Sequence, residues 1–206
     1  GGFIMKEFKL PELPYEYNAL EPYYDEETVR IHHDKHHAGY VKGLNAAIKK
    51  LAEARETGDF SLIKHWEREQ AFHGAGHHLH TMFWENMHPG KEDNKAEGEL
   101  LAAIEKWFGS WESFEKQFKA ATAAVEGSGW GVLASCPEGS LHIFAVENHQ
   151  KVWVPGLKPI MVCDVWEHSY YKKWGPDRKG WIDSFWKLVD WDYVAKKYGE
   201  MKQDKI

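Results

Sequence analysis

The stretch Asp164-Val-Trp-Glu-His168 constrains the fold of this chain more than any other. The apolar run Pro159-Ile-Met-Val-Cys163 leads into it and reads as a buried strand, with Asp164 where the strand ends. A carboxylate and an imidazole four residues apart at a strand end can both turn toward one point. Trp166 between them offers an apolar wall and Glu167 a second charge. Such a pair is half of a metal site, so a fold built around it must bring further ligands to that strand end.

Histidines are the candidates. The chain holds 13, and they cluster. His32, His33, His36 and His37 occur within six consecutive positions, and His32, His36 and Tyr40, spaced i, i+4, i+8, share one helix face. His73, His77 and His80 share another face, with Phe83 and Trp84 one turn later. Taken singly, each reads as a polar residue of an amphipathic helix. Two such faces set against Asp164 and His168 read differently. Three imidazoles and one carboxylate suit a divalent or trivalent first-row metal, and they leave the open position that a catalytic metal needs. The two cysteines, Cys136 and Cys163, are too few for a thiolate cluster or a disulfide framework. Tyr40 near such an ion could pass protons. The 11 tryptophans are suited to walling off a dry polar site.

At 206 residues the chain can build one large domain or two small ones sharing an interface. Residues 1–24 carry Pro11, Pro14 and Pro22 and read as an extended arm. Asp25-Glu-Glu-Thr28 opens a helix running to Ala54; after Gly58-Asp59, Ser61 caps a second, to Glu85. Pro89-Gly90 and the charged stretch 91–98 read as a linker, which divides the chain into 1–90 and 91–206. Helices over Leu100–Phe108 and Trp111–Ala124 follow, then strands over Trp130–Ser135, Leu141–Val146 and Pro159–Asp164. Pro137-Glu-Gly139 joins the first two strands as a hairpin. Helices resume after His168, with a break at Gly175-Pro176. The expected fold is α+β: a helical hairpin domain, then an α/β domain with a three-stranded antiparallel sheet.

The net charge of -6 gives no reason to expect nucleic acid, and it repels an anionic substrate at long range unless basic residues gather at the site mouth. No apolar run is long enough for a membrane span. Gly1-Gly-Phe-Ile4 is neither a signal nor a transit peptide, so a cytoplasmic location is expected; export is the alternative if those residues remain from a processed leader.

The motifs resemble the iron/manganese superoxide dismutases over nearly the whole chain. The resemblance rests on Leu13-Pro-Tyr-Glu-Tyr-Asn-Ala-Leu-Glu-Pro22, Ile31-His-His-Asp-Lys-His-His37 with Tyr40, and Gly76-His-His-Leu-His80 with Phe83-Trp84. Gly127-Ser-Gly-Trp130, Asp164-Val-Trp-Glu-His-Ser-Tyr-Tyr171 and Val189-Asp-Trp-Asp192 complete it. It implies a site between the two halves, with His32, His80, Asp164 and His168 as ligands of one manganese or iron ion per subunit, manganese favoured. It implies superoxide as substrate, Tyr40 and His36 as a gateway pair, and Trp84, Trp130 and Trp166 as an aromatic cage. Arg178 matches the funnel arginine, which would offset the negative net charge. A homodimer, or a tetramer, is implied, with Glu167 bridging to the partner's His168 and Tyr171 reaching the partner's His36.

One departure concerns the glutamine that the family sets beside metal-bound solvent. The position that carries it in iron-type members is Gly76 here, and the position in manganese-type members aligns with His149, or with Gln150 after a shift of one. Two other classes compete with the redox reading. A zinc hydrolase lacks its general-base glutamate here. A non-catalytic metal store would hold no stoichiometric redox-active ion.

Overall fold

The computed structural model describes residues 6–203, and Gly1-Gly-Phe-Ile4 lies outside them. Helix α1 (Glu26–Ile31) begins where the Asp25 carboxylate accepts the Thr28 N–H, with Glu26 and Glu27 at the positive end of the helix dipole. It does not continue as one α-helix. A π-helical stretch, His32–His37, intervenes before α2 (Ala38–Thr57), and the Ala38 N–H reaches back to the His33 carbonyl. The wider turn gathers the four imidazoles. His32, His33 and His37 are buried and His36 half-buried, while Asp34 and Lys35 face out.

Helix α2 ends at Gly58, which takes a left-handed φ of 72° and returns its N–H to the Ala54 carbonyl. Helix α3 (Ile63–Glu85) then packs along α2. Ser61 does not cap it. Leu62 occupies the N-cap without a side-chain bond, and the Ser61 N–H is spent on the Asp59 carboxylate. The charged stretch after Gly90 is not a free tether, because Ala96 is buried and the Asn94 amide donates to the carbonyls of Trp186 and Val189.

Helices α4 (Gly98–Phe108) and α5 (Trp111–Ala123) meet at Ser110, whose hydroxyl caps α5 by accepting the Ser113 N–H. The sheet has the order β2-β1-β3 and is antiparallel throughout, from β1 (Gly129–Ser135), β2 (Leu141–Glu147) and β3 (Lys158–Asp164). Central β1 is buried along its length, which is why it reads as an apolar run rather than an alternation. Helices α6 (Glu167–Trp174), α7 (Arg178–Leu188) and α8 (Trp191–Gln203) follow. Among the described residues no helix is long and apolar enough to cross a membrane.

Two features place the end of α3 against the end of β3. In the sheet, Trp130 pairs with Asp164. Beyond α3, the buried Asn86 side chain donates to the Phe83 carbonyl and accepts the Val162 N–H. Helix and strand are thereby held together in the aromatic core of Phe83, Trp130, Trp181 and Phe185.

Candidate metal centre

Four side chains converge where the π-helical stretch, α3 and the β3–α6 corner meet. His32, His80, Asp164 and His168 each bring one ligand atom, all within 4.8 Å of one another. His32 Nε2 is 2.9 Å from Asp164 Oδ2, His80 Nε2 is 3.3 Å from it, and His168 Nε2 is 3.6 Å from it. The two helix imidazoles face each other at 3.0 Å between Nε2 atoms. The side chains of His32, His80 and Asp164 have no exposure, whereas that of His168 keeps 19 %.

The protons of this cluster can be placed by elimination. Burial keeps Tyr24 a phenol, and its hydroxyl donates to the Ser169 carbonyl at 2.6 Å. The contact between Tyr24 and His32 Nδ1 at 2.9 Å must then be donated by the imidazole. His80 Nδ1 lies 2.6 Å from the Gly76 carbonyl, which can only accept. Each ring, when neutral, therefore turns the lone pair of its Nε2 inward. Burial lowers the pKa of His32 to about 3 despite Asp164, so the ring is neutral. In the metal-free cluster burial opposes the Asp164 charge, but hydrogen bonding to His168, His32 and His80 outweighs it and holds its pKa well below the usual carboxylate range. His168 Nε2 is buried with no hydrogen-bond partner. Imidazole nitrogens and a carboxylate aimed at one point fit a cation. Nitrogen and oxygen donors without thiolate fit a first-row transition metal.

Around the cluster the aromatic residues are placed by their N–H groups. Trp130 Nε1–H donates to His149 Nδ1 at 3.0 Å. An indole only donates, so the His149 proton sits on Nε2 and is given to the Tyr40 oxygen at 2.9 Å. Burial, then the proximity of His80, lowers the His149 pKa to about 3, and burial followed by Asp164 raises that of Tyr40. Gln150 is turned elsewhere, its amide oxygen accepting the His149 backbone N–H. Trp166 lies flat on His149, with ring centres 4.6 Å apart, and on His168 at 5.4 Å. Its indole N–H is held by the Asn148 carbonyl, and its backbone N–H by Asp164 Oδ1. Trp84 meets His32 edge-on at 4.9 Å. His36 stacks on His168 at 4.3 Å, and burial lowers its pKa to about 4.

Other residues named from the sequence are not among the four converging side chains. The Arg178 guanidinium clamps the carbonyls of Val125 and Gly127 and the Tyr170 hydroxyl. Glu167 and Tyr171 are exposed on α6. Gly76 is filled from outside, since a Cβ there would lie 2.6 Å from the Tyr40 ring. Tyr24, which orients His32, carries no sequence signal, because it lies in the arm outside any periodic segment.

Residues 7–88 match the model for the α-hairpin domain of the iron/manganese superoxide dismutases, and residues 96–197 match the model for their C-terminal domain. The chain is 44 % identical over 198 residues to a superoxide dismutase [Fe] of Methanothermobacter marburgensis, covering 95 % of this chain and 98 % of that one. It is 46 % identical over 195 residues to a superoxide dismutase [Mn/Fe] of Aeropyrum pernix, covering 93 % and 91 %. With a superoxide dismutase [Mn] 2 of Halobacterium salinarum the identity is 44 % over 200 residues, covering 96 % and 98 %. Matched over both halves and by relatives of this identity, the chain belongs to the iron/manganese superoxide dismutase family.

Proposed function

We propose that this chain is a superoxide dismutase in which His32, His80, Asp164 and His168 hold one manganese or iron ion per subunit. The observation that carries the proposal is the convergence of the His32, His80 and His168 nitrogens on the buried Asp164 carboxylate. Such an ion, alternating between trivalent and divalent states, supplies the electron sink and source that turn two superoxides and two protons into dioxygen and hydrogen peroxide.

The surrounding residues bind, orient and supply protons. Tyr24 and the Gly76 carbonyl fix the tautomers of His32 and His80, so that both present Nε2 inward. Trp84, Trp130 and Trp166 wall the site and exclude water and larger reductants. Tyr40 accepts from His149, which leaves its own O–H free to donate to an arriving anion. Its raised pKa keeps that proton in place at neutral pH. His149 is held by Trp130 with its N–H toward Tyr40, and so orients the Tyr40 oxygen and its free O–H.

His168 is the ligand with residual exposure; Tyr171, three residues on, and Ile31, next to His32, are exposed by 52 % and 39 %. A second copy seated over Glu167 and Tyr171 would cover them, which supports a homodimer; sedimentation of the purified protein reads the oligomeric state.

Elemental analysis of natively expressed protein, followed by superoxide consumption after reconstitution with each metal, tests the function. One redox-active ion per subunit and activity lost in His168→Ala are expected. Zinc alone with no superoxide consumption would sink the proposal.

A further inference from the structure

The surplus histidines beside the site form a directed chain. Trp84 Nε1–H donates to His37 Nδ1 at 3.1 Å, and His37 faces His77 Nδ1 with Nε2 at 2.8 Å. Because the indole has no acceptor, His37 Nδ1 is bare and its proton sits on Nε2. His77 Nδ1 is then bare as well, so every bond runs in one sense from Trp84 to His77. The chain cannot conduct protons to the site, since an indole N–H at its inner end has no lone pair to receive one.

What it can do is hold position. His37 belongs to the π-helical stretch that carries His32, yet its ring lies 5.4 Å from His80 on α3. Trp84 belongs to α3, yet its ring lies 4.9 Å from His32. Each side chain therefore abuts the imidazole carried by the other segment, and the bond between them crosses the gap. His37 and Trp84 are both buried, so neither can exchange this bond for one to water. His77 closes the chain from the half-buried side, under the edge of Phe8 at 5.7 Å.

Resting on the metal-site reading above, we infer that His37 and His77 are positioning residues that brace the two helical segments and set the separation of the His32 and His80 nitrogens offered to the ion. The test compares the manganese-loaded parent with His77→Leu and His77→Asn. Leucine fills the space but leaves the His37 N–H without an acceptor, whereas the asparagine oxygen can stand where Nδ1 stood. Three quantities are read: the half-time of manganese loss to excess chelator, the visible absorption of the trivalent ion, and the thermal midpoint.

We expect His77→Leu to lose manganese about tenfold faster with a shifted absorption band, and His77→Asn to stay within about twofold of the parent. Release and spectrum unchanged in His77→Leu would overturn the inference, even with a lowered midpoint. Equal damage in both variants would overturn it too, because volume rather than the acceptor would then matter. A parent that retains neither manganese nor iron would sink the site reading and this inference together. A stably loaded parent with insensitive variants sinks this inference alone.

Discussion

Gly76 is the position at which one methyl group tests the whole proton-donor network. A Cβ there would stand 2.6 Å from Cδ1 of Tyr40, where ordinary contact begins at 3.4 Å. The ring would have to retreat by about 3.4 − 2.6 = 0.8 Å. The Tyr40–His149 bond is 2.9 Å long, and a retreat along its axis stretches it to about 3.7 Å, beyond hydrogen-bond range. Overpacking costs about 1–3 kcal/mol and the lost bond about 1 kcal/mol, while alanine regains about 1 kcal/mol of helix propensity over glycine. Gly76→Ala should therefore lose about 1–3 kcal/mol in denaturant unfolding. Turnover should fall by about tenfold or more, because a displaced general acid costs that order. Gly74→Ala is the control on the same helix, since its Cβ would meet Leu44 at an ordinary 3.5 Å. That variant should be neutral or stabilised, with parental turnover. If Gly76→Ala folds as stably as Gly74→Ala and turns over like the parent, the packing of Tyr40 on Gly76 does not set the proton donor.

Tyr24→Phe removes the acceptor for the His32 Nδ1–H; metal retention should drop about tenfold, read by chelator competition, and a parental value would refute the tautomer assignment. Arg178→Lys should lower stability by about 1–3 kcal/mol by releasing the carbonyls of Val125 and Gly127. If instead kcat/KM falls steeply with salt sensitivity altered and stability intact, Arg178 steers substrate. For the metal-free protein, His37 and His149 have folded pKa values lowered by burial from 6.5 to about 2 and about 3, so the unfolded chain binds more protons below 6.5. Their stability contribution is complete above pH 6.5 and is lost as the pH falls through that window toward about 3. Denaturant midpoints at pH 7, 6 and 5 should fall in that order, and a flat series refutes the neutral assignment.

Much of this fold could be read from residue order because its signals are local. The apolar run into Asp164, the Pro137-Glu-Gly139 hairpin and the acidic start at Asp25 each announce an element within a few residues. The π-helical stretch could not be read that way. Helical periodicity puts His32, His36 and Tyr40 on one face whether or not a turn is widened, and it is the burial of His33 and His37 as well that demands the extra residue. Tyr24 and Asn86 were illegible for a different reason. Tyr24 is fixed on His32 by the Ser169 carbonyl, 145 residues away, and Asn86 reaches Val162, 76 residues away, so only the closed fold reveals what they do.

The four converging side chains do not select between manganese and iron, and relatives named for either metal share 44 % or more of this sequence. Selection must then come from what the site does with protons as the ion changes charge. In this chain the donor beside Tyr40 is an imidazole whose single N–H is already committed, because Trp130 fixes the proton on Nε2 and Tyr40 receives it. An amide has two N–H groups and could serve Tyr40 and a second acceptor together; neutral His149 cannot. With fewer donors directed at the ion, the more highly charged state of the site is less discouraged. His149→Gln should accordingly raise the midpoint potential for either metal. The manganese and iron forms, titrated separately, should both shift upward; a downward or absent shift in both would place the tuning elsewhere than in this N–H.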